Sequence, residues 1–306
     1  MPNLKDIKRR IKSVKNTQKI TQAMRMVAVA KVKKAENKVK ASRPFSNELL
    51  KAFQRLLAAK PEINNINIQT GKAIDNYPAL LKYREPKTVG LLVITSDRGL
   101  AGAYNANLVK KTLSRMHELE KDGISAKVFV VGLKGLNALK RAKIDIAETY
   151  IRMPVVPTSG QANVIVEDIA EYFVREEIDK IEIITTRFNS MVSFEAQLWQ
   201  VLPVKSLSEE KKKEKNQPSA EMIFEPRPEV ILQKIVSLYL SNRVYQALIE
   251  ASASELAARS ASMAAATKNA GDMIQHLTLV YNKARQASIT QEILEIVGGA
   301  NALKNA

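Results

Sequence analysis

The segment IVSLYLSNRVYQALIEASASELAARSASMAAATKNAGDMIQHLTL, Ile235–Leu279, contains no proline and a single glycine, Gly271. Apolar and alanine residues recur in it at heptad spacing, which is typical of a helix that packs along a second helix. In a frame that starts at Ile231, the seam consists of Ile235, Leu238, Tyr245, Ile249, Leu256, Met263, Ala266, Ala270, Met273, Leu277, Val280, Ala284, Ala287 and Leu294. The pattern predicts one helix roughly 100 Å long at 1.5 Å of rise per residue.

Proline and glycine indicate the bounds of this helix. Pro226 and Pro228 precede the periodic stretch, and proline is common at helix starts. Gly298 and Gly299 follow it, and we expect the helix to end there, because glycine is common just past helix ends. Gly271 costs about 1 kcal/mol relative to alanine inside the helix, so we interpret it as a point of close approach between helices.

A second heptad seam lies in the N-terminal segment. It comprises Leu4, Ile7, Ile11 and Val14, lapses at Gln18, Thr21 and Arg25, and resumes with Ala28, Val32, Ala35, Val39, Leu49, Phe53 and Leu56. We expect this helix to start at the N-cap Asn3 and to end before Pro61. Because a narrow apolar stripe needs a partner, the two helices are expected to pair antiparallel.

The middle of the chain has a different pattern, with short β-branched apolar runs. The predicted strands, buried on both faces, are Thr88–Ser96, Ala126–Gly132 and Lys180–Thr186, with a candidate edge strand at 193–203. Predicted helices alternate with the strands at roughly 103–121, 133–143 and 161–177. This alternation predicts an α/β sheet domain.

The predicted fold class is therefore α/β. It combines a long antiparallel two-helix coiled coil, made by the N- and C-terminal segments, with a Rossmann-like α/β central domain. The expected domains are an N-terminal coiled-coil helix at 1–60, a central domain at 61–225 and a C-terminal coiled-coil helix at 226–306. Residues 204–222 are rich in Lys and Glu and predict a mobile surface loop.

Composition excludes several classes of protein. The 306 residues include no cysteine and only two isolated histidines, which excludes disulfides and thiolate metal sites and leaves no histidine cluster. No apolar run approaches the roughly 20 residues of a membrane span. The net charge is +17, and residues 1–60 hold 17 Lys and Arg against 3 Asp and Glu. Such a basic helix fits a nucleic-acid footprint, an acidic protein surface, or simply the solvated face of a coiled coil.

A search for catalytic chemistry finds little. The turn TSDRGLAGAYN, Thr95–Asn105, follows the first predicted strand, where a Rossmann fold would bind a nucleotide. It lacks the G-x-G-x-x-G and G-x-x-x-x-G-K-[ST] phosphate-binding patterns. Asp97 and Arg98 are better interpreted as a turn cap or a surface ion pair than as an acid–base pair. The sequence therefore predicts no catalytic, cofactor or metal site.

One part of the last helix is too polar for simple packing. The segment Tyr281–Ile293 carries Arg285, Gln286, Ser288 and Thr290 within three turns. We expect it to lie opposite the polar lapse of the first helix, which comprises Thr17, Gln18, Thr21, Gln22 and Arg25. Exposed polar residues at this place predict contacts with another protein, although ordinary fraying of a helix end is the alternative.

Four separated motifs resemble the γ subunit family of the F-type rotary ATP synthase, over essentially the whole chain. They are IKRRIKSVKNTQKITQAMRMVAVAK from Ile7, SDRGLAGAYN from Ser96, FEPRP from Phe224 and LVYNKARQASITQEI from Leu279. The resemblance implies a non-catalytic central-stalk rotor that couples proton flow to ATP synthesis or hydrolysis. Its coiled coil would lie in the cavity of the α/β catalytic hexamer, and its globular part would rest on the membrane c ring with the ε subunit.

The resemblance also implies contact residues. The positions that match the family's contacts with the α/β hexamer are Met24, Lys31, Lys33, Lys34, Arg285, Gln286 and Thr290. Those that match its contacts with the c ring are Met222, Phe224 and Glu225. No cofactor is implied, and the absence of cysteine excludes the thiol activation of plastid members.

The expected location is the cytoplasmic side of a bacterial plasma membrane, as a peripheral protein, because no organellar transit segment precedes the first motif. Two alternatives follow from the residues alone. A basic coiled-coil protein could bind nucleic acid with strongly salt-dependent affinity. A nucleotide-dependent enzyme could be built on the central domain.

Overall fold

A computed structural model describes residues 4–58, 73, 77–204, 225–226 and 228–304. Apart from Val204, the expected mobile loop at 204–222 lies outside these residues. The chain forms two compact units. One comprises residues 1–29 and 259–306, and is called the terminal unit below; the other comprises residues 30–258 and is called the central unit.

The two predicted long helices are confirmed. Helix α1 is Leu4–Ala58, and the last helix, α6, is Pro228–Lys304. The expected end of α6 at Gly298 and Gly299 is wrong, because the helix continues through both. A glycine ends a helix when it adopts positive φ, and neither of these does. Each instead keeps helical geometry, at the usual cost of about 1 kcal/mol relative to alanine.

The central unit contains one five-stranded sheet. Its strands are β1 Thr88–Ile94, β2 Ser125–Val131, β3 Ile146–Tyr150, β4 Lys180–Ser190 and β5 Ser193–Leu202. They are ordered β3-β2-β1-β4-β5, with β5 antiparallel to β4 and the other pairs parallel. The predicted strands and the predicted edge strand are confirmed. Strand β3 was missed, because IAETY is short, carries a charge and is only half-buried at the sheet edge.

Among the residues that the structure describes, four shorter helices connect or flank the strands. They are α2 Tyr77–Leu81, α3 Tyr104–Lys121, α4 Leu133–Arg141 and α5 Ser159–Val174. A capping box starts α5, in which the Gln161 side chain accepts a hydrogen bond from the Thr158 backbone N–H at 2.7 Å. The side chains of β1 alternate between two cores: Leu92 and Ile94 pack with α5 and α6, and Val93 packs with α3 and α4.

Within the central unit, one stretch of α6 is enclosed by other elements. Every residue from Val244 to Ala258 is buried or half-buried, and many of them are alanine or serine, which allow close approach. The sheet lies on one side and α1 on another. Phe53 of α1 packs on Tyr239 with ring centroids 5.0 Å apart. Arg43 of α1 pairs with Glu250, so the two helices run antiparallel here.

The same two helices pair in the terminal unit. The hydroxyls of Thr21 and Thr267 lie 2.9 Å apart. A Cβ at Gly271 would lie 3.1 Å from Nε2 of Gln18, which confirms that this glycine marks a close approach. Thr21 faces Thr267 while the earlier Gln18 faces the later Gly271, so the pairing is antiparallel, as predicted.

The seam was predicted well but drifts by one residue in several places. Arg25 is exposed and Met24 is half-buried instead. Met273 is 48% exposed, whereas Ile274 is half-buried. A straight helix has 3.6 residues per turn, so its contact stripe moves by about 20° per heptad relative to a strict seven-residue frame. A heptad prediction therefore loses register along a long helix.

The register of the terminal unit predicts a specific disulfide. Thr21→Cys with Thr267→Cys is expected to oxidise to an intrachain disulfide, because the native Oγ1 atoms are 2.9 Å apart. Non-reducing electrophoresis and peptide mass spectrometry measure the product, and the absence of native cysteine gives a clean background. Met24→Cys with Gln286→Cys is the control and stays reduced, because helix rise separates these positions by about 30 Å. A disulfide in the Met24/Gln286 pair and none in the Thr21/Thr267 pair would contradict this antiparallel register.

Candidate partner-contact surfaces

Asp97 acts as a structural cap. Its Oδ1 accepts the backbone N–H of Leu133, at the start of α4, at 3.0 Å. Its Oδ2 accepts the backbone N–H of Met153, in the loop after β3, at 2.9 Å. The carboxylate therefore ties together the segments that follow three neighbouring strands. This confirms its interpretation as a turn cap.

The start of α4 is closed to a phosphate. Thr95 Oγ1 accepts the backbone N–H of Gly135 at 3.0 Å, and the Ser96 carbonyl accepts that of Lys134, also at 3.0 Å. With Leu133 bound to Asp97, the first-turn N–H groups that would bind an anion in a nucleotide fold are occupied. A Cβ at Gly135 would lie only 2.4 Å from Thr95 Oγ1, so the contact is also tight.

Two kinds of site are missing from the part of the chain that the structure describes. No group of three or more His, Asp or Glu side chains is placed to hold a metal ion there. None of the helices described is both long and apolar enough to cross a bilayer.

The basic residues of α1 in the central unit form a partly neutralised strip. Lys33 and Lys34 are exposed and Lys31 is half-buried. Glu36 accepts an ion pair from Lys40 at 2.7 Å and a weaker one from Lys33 at 3.5 Å. The hydrogen bond from Lys40 lowers the pKa of Glu36 below its ordinary value. Both ion pairs lie within α1. The exposed side chains of Lys33 and Lys34 direct the remaining positive charge of the strip outward.

Exposed apolar side chains surround Met24 in the terminal unit. Ile20 and Met26 are each 60% exposed, and Val27 is 54% exposed. Of these residues only Met24 was expected as a contact, because the other three lie outside the heptad seam and outside the positions that the family resemblance implies. The available signal was the run MRMVAVA, which is too apolar for the outer face of a solvated helix.

The C-terminal end of α6 is also exposed and apolar. Arg285, Gln286 and Thr290 are exposed, as predicted for contact residues. Apolar side chains that are about half or more exposed accompany them, namely Ile289, Ile293, Leu294, Ile296 and Val297. Counting residues along both helices from the Thr21–Thr267 pair places the start of α1 at the level of Ala284 of α6. All residues of α6 from 291 to 300 are exposed.

The two polar segments do not face each other. Thr21 and Gln18 of α1 lie against Thr267 and Gly271 of α6, whereas Gln286 lies about 28 Å further along α6 by helix rise. The expectation that Tyr281–Ile293 lies opposite the polar lapse is therefore wrong. The lapse has its own explanation, since Thr21 and Thr267 share a hydrogen bond inside the seam.

Of the three residues assigned to the c ring, the structure describes only Glu225, which is exposed. Met222 and Phe224 lie outside the described residues.

Comparisons with known proteins decide the family. A family model described as ATP synthase matches residues 3–303. The ATP synthase gamma chain of a Picosynechococcus species is 43% identical over 99% of this chain and 100% of its own length. That of Nostoc punctiforme is 41% identical with the same coverage. The chain belongs to the ATP synthase gamma chain family.

Solved structures agree with this membership. A chain from the central stalk and c-ring structure of the Tetrahymena thermophila mitochondrial ATP synthase is 25% identical, with a TM-score of 0.57 over 81% of this chain and 99% of the other. A chain from the Euglena gracilis mitochondrial ATP synthase shares the fold at 17% identity, with a TM-score of 0.67 over 98% of this chain and 94% of the other. None of these findings supports the nucleic-acid-binding alternative.

The closed turn gives a stability prediction for this gamma chain. Gly135→Ala is expected to lower the free energy of unfolding by about 1–3 kcal/mol, because the new methyl group overlaps Thr95. Urea unfolding followed by the fluorescence of Trp199, the only tryptophan, measures the change in the central unit.

Gly160→Ala is the matched control. It lies in the first turn of α5, where a Cβ would meet only Thr158 Oγ1, at 3.9 Å. This change should leave stability unaltered or raise it by about 0.4–1 kcal/mol. Equal effects of the two substitutions would show that the Thr95 contact is not tight.

Proposed function

We propose that this chain is the central-stalk rotor subunit of a proton-transporting F-type ATP synthase. In that role it couples proton flow through the membrane c ring to ATP synthesis or hydrolysis at the α/β hexamer by rotating. The observation that carries the proposal is the similarity to gamma chains along the whole length of both proteins. Its partners are the α, β and ε subunits and the c ring.

The mechanism requires no covalent chemistry from this chain. Catalytic sites on the partner subunits change their nucleotide affinity according to which face of the rotor they meet, so rotation converts position into differential binding. We assign the chain no catalytic residue. The occupied first turn of α4 supports this, because its backbone N–H groups are used for internal hydrogen bonds and not left for an anion.

Two sets of residues are assigned to the α/β hexamer. In the terminal unit these are Met24, Arg285, Gln286 and Thr290, and the exposed apolar side chains beside them supply area for a protein interface. In the central unit they are Lys31, Lys33 and Lys34, whose outward charge fits an acidic surface.

The assignment to the c ring rests on Met222, Phe224 and Glu225, which match the family motif, and on the exposure of Glu225. Through the c ring the chain is a peripheral component of the membrane complex. We place it on the cytoplasmic side of a bacterial plasma membrane, in keeping with its similarity to cyanobacterial gamma chains.

The function is tested by reconstitution with α, β, ε and the membrane sector. The native chain should support ATP-driven proton pumping, which a complex lacking it should not. Lys31→Ala, Lys33→Ala and Lys34→Ala together should lower the ratio of pumping to ATP hydrolysis by at least about threefold, the effect of losing three exposed charge contacts. The measurement is acidification of inverted vesicles beside ATP turnover.

The control removes the same charge elsewhere. Lys110, Lys111 and Lys121 are exposed on α3, and their combined replacement by alanine should leave the ratio unchanged. If both triple variants behave alike, the strip on α1 is only a solvated face. If the native chain supports no pumping, the rotor function itself is wrong.

A further inference from the structure

A buried carboxylate joins three elements of the central unit. The side chain of Glu250, on α6, is fully buried. From α1, Arg43 donates two hydrogen bonds to it, from Nε to Oε1 and from Nη2 to Oε2, each at 3.2 Å. From β4, the backbone N–H of Phe188 donates to Oε2 at 3.1 Å.

Further donors complete the set. Arg187 of β4 places Nη1 3.2 Å from Oε1 of Glu250, and Gln246 donates from Nε2 to Oε1 at 3.3 Å. Arg43 also donates to the carbonyl oxygen of Phe188, so it binds both α6 and β4. Each carboxylate oxygen thus has at least two partners, which is what a buried charge needs in order to be tolerated.

The side chains packed around this cluster are apolar. One hydrophobic cluster holds α1, α6 and β4 together, and it consists of Val32, Ala35, Val39, Phe188, Ile249, Ala253, Leu256 and Ala257. Hydrophobic burial is non-directional, so these small side chains resist separation of the helices more than rotation or sliding. The charge-assisted bonds of Glu250 have defined geometry and oppose both motions.

Besides the hydrogen bond that the Ser252 hydroxyl donates to the carbonyl of Val155, two other hydrogen bonds reach this part of α6, and they are less specific. Thr185 donates to the carbonyl of Ala247 at 3.1 Å, and Tyr104 donates to that of Ala251 at 3.2 Å. Backbone carbonyls recur at every turn, so a helix displaced by one turn offers equivalent acceptors. The Glu250 side chain has no such equivalent, because the positions one turn away are Gln246 and Ser254.

We infer that Glu250 is a positioning residue that fixes the angular register of α1, α6 and β4, and that torque passes between the sheet and the helix pair through it. The inference rests on the proposed rotor function. It assigns to a buried residue, which is not one of the expected contact residues, a part in coupling that is separate from folding. The residue acts through Arg43 and Phe188 and needs no partner subunit.

Glu250→Gln tests the inference, because it keeps the shape of the side chain but removes its charge. In the reconstituted complex, the ratio of proton pumping to ATP hydrolysis is measured against an opposing proton gradient. It should fall by about tenfold, because the variant loses one set of charge-assisted hydrogen bonds. Glu48→Gln is the matched control. Glu48 forms an exposed ion pair with Lys51 on α1, and its loss should not change the ratio.

The double variant Arg43→Gln with Glu250→Gln separates coupling from stability. Removing both charges leaves neither of them buried and unpaired, so the thermal stability lost in Glu250→Gln should return in large part. The coupling ratio should stay low, since the directional bonds are still absent. If stability and coupling recover together, Glu250 has only a structural role and the inference is wrong.

A spectroscopic measurement reads the register without any activity. Spin labels on Lys121→Cys of α3 and Lys234→Cys of α6, both exposed positions, report the distance between sheet layer and helix in the otherwise cysteine-free chain. Glu250→Gln should broaden the distance distribution, and Glu48→Gln should not. An unbroadened distribution, or pumping and hydrolysis that fall in parallel, overturns the inference. Failure of the native complex to pump would instead refute the proposed function.

Discussion

The structure depends on the burial of one stretch of α6, Val244–Ala258, in which every residue is buried or half-buried inside the central unit. Seven of its 15 residues are alanine or serine, so the sheet and α1 can both approach the helix closely. Hydrophobic contacts from two sides then stabilise the same residues, and neither the sheet nor α1 could pack as it does without them. A continuous buried helix also explains why proline is absent from the interior of α6.

Sequence patterns predicted the elements whose signal is local and repeated. The seams of α1 and α6 and the β-branched strands follow from periodicities of about 3.6 and 2 residues. What was missed depends on tertiary context: the half-buried strand β3, the drift from Met273 to Ile274, and the continuation of α6 past Gly298. The prediction that Tyr281–Ile293 lies opposite the polar lapse of α1 was also wrong. A sequence gives the face of a helix but not its axial register against a partner helix.

For the functional surfaces, too, some features were predicted from the sequence and others were found only in the structure. The contact candidate Lys33 came from the family motif, whereas the polar residues around Arg285 already predicted a protein contact from the pattern alone. The physical pattern of the basic helix left nucleic-acid binding open. The structure added the apolar surroundings of Met24 and the turn around Thr95, whose hydroxyl accepts the backbone N–H of Gly135 at the start of α4. The cluster around Glu250 could not be predicted, because Arg43 and Glu250 are 207 residues apart in the sequence.

Hydrogen exchange on the purified chain tests the central claim most directly. If α6 is the element on which the sheet and α1 both pack, the amides of 244–258 should exchange only on global unfolding. They should therefore exchange at least about a thousandfold more slowly than those of 291–300, which lie on the exposed end of the same helix. Comparable exchange rates in the two segments would contradict the account, because α6 would then not be held by the packing described.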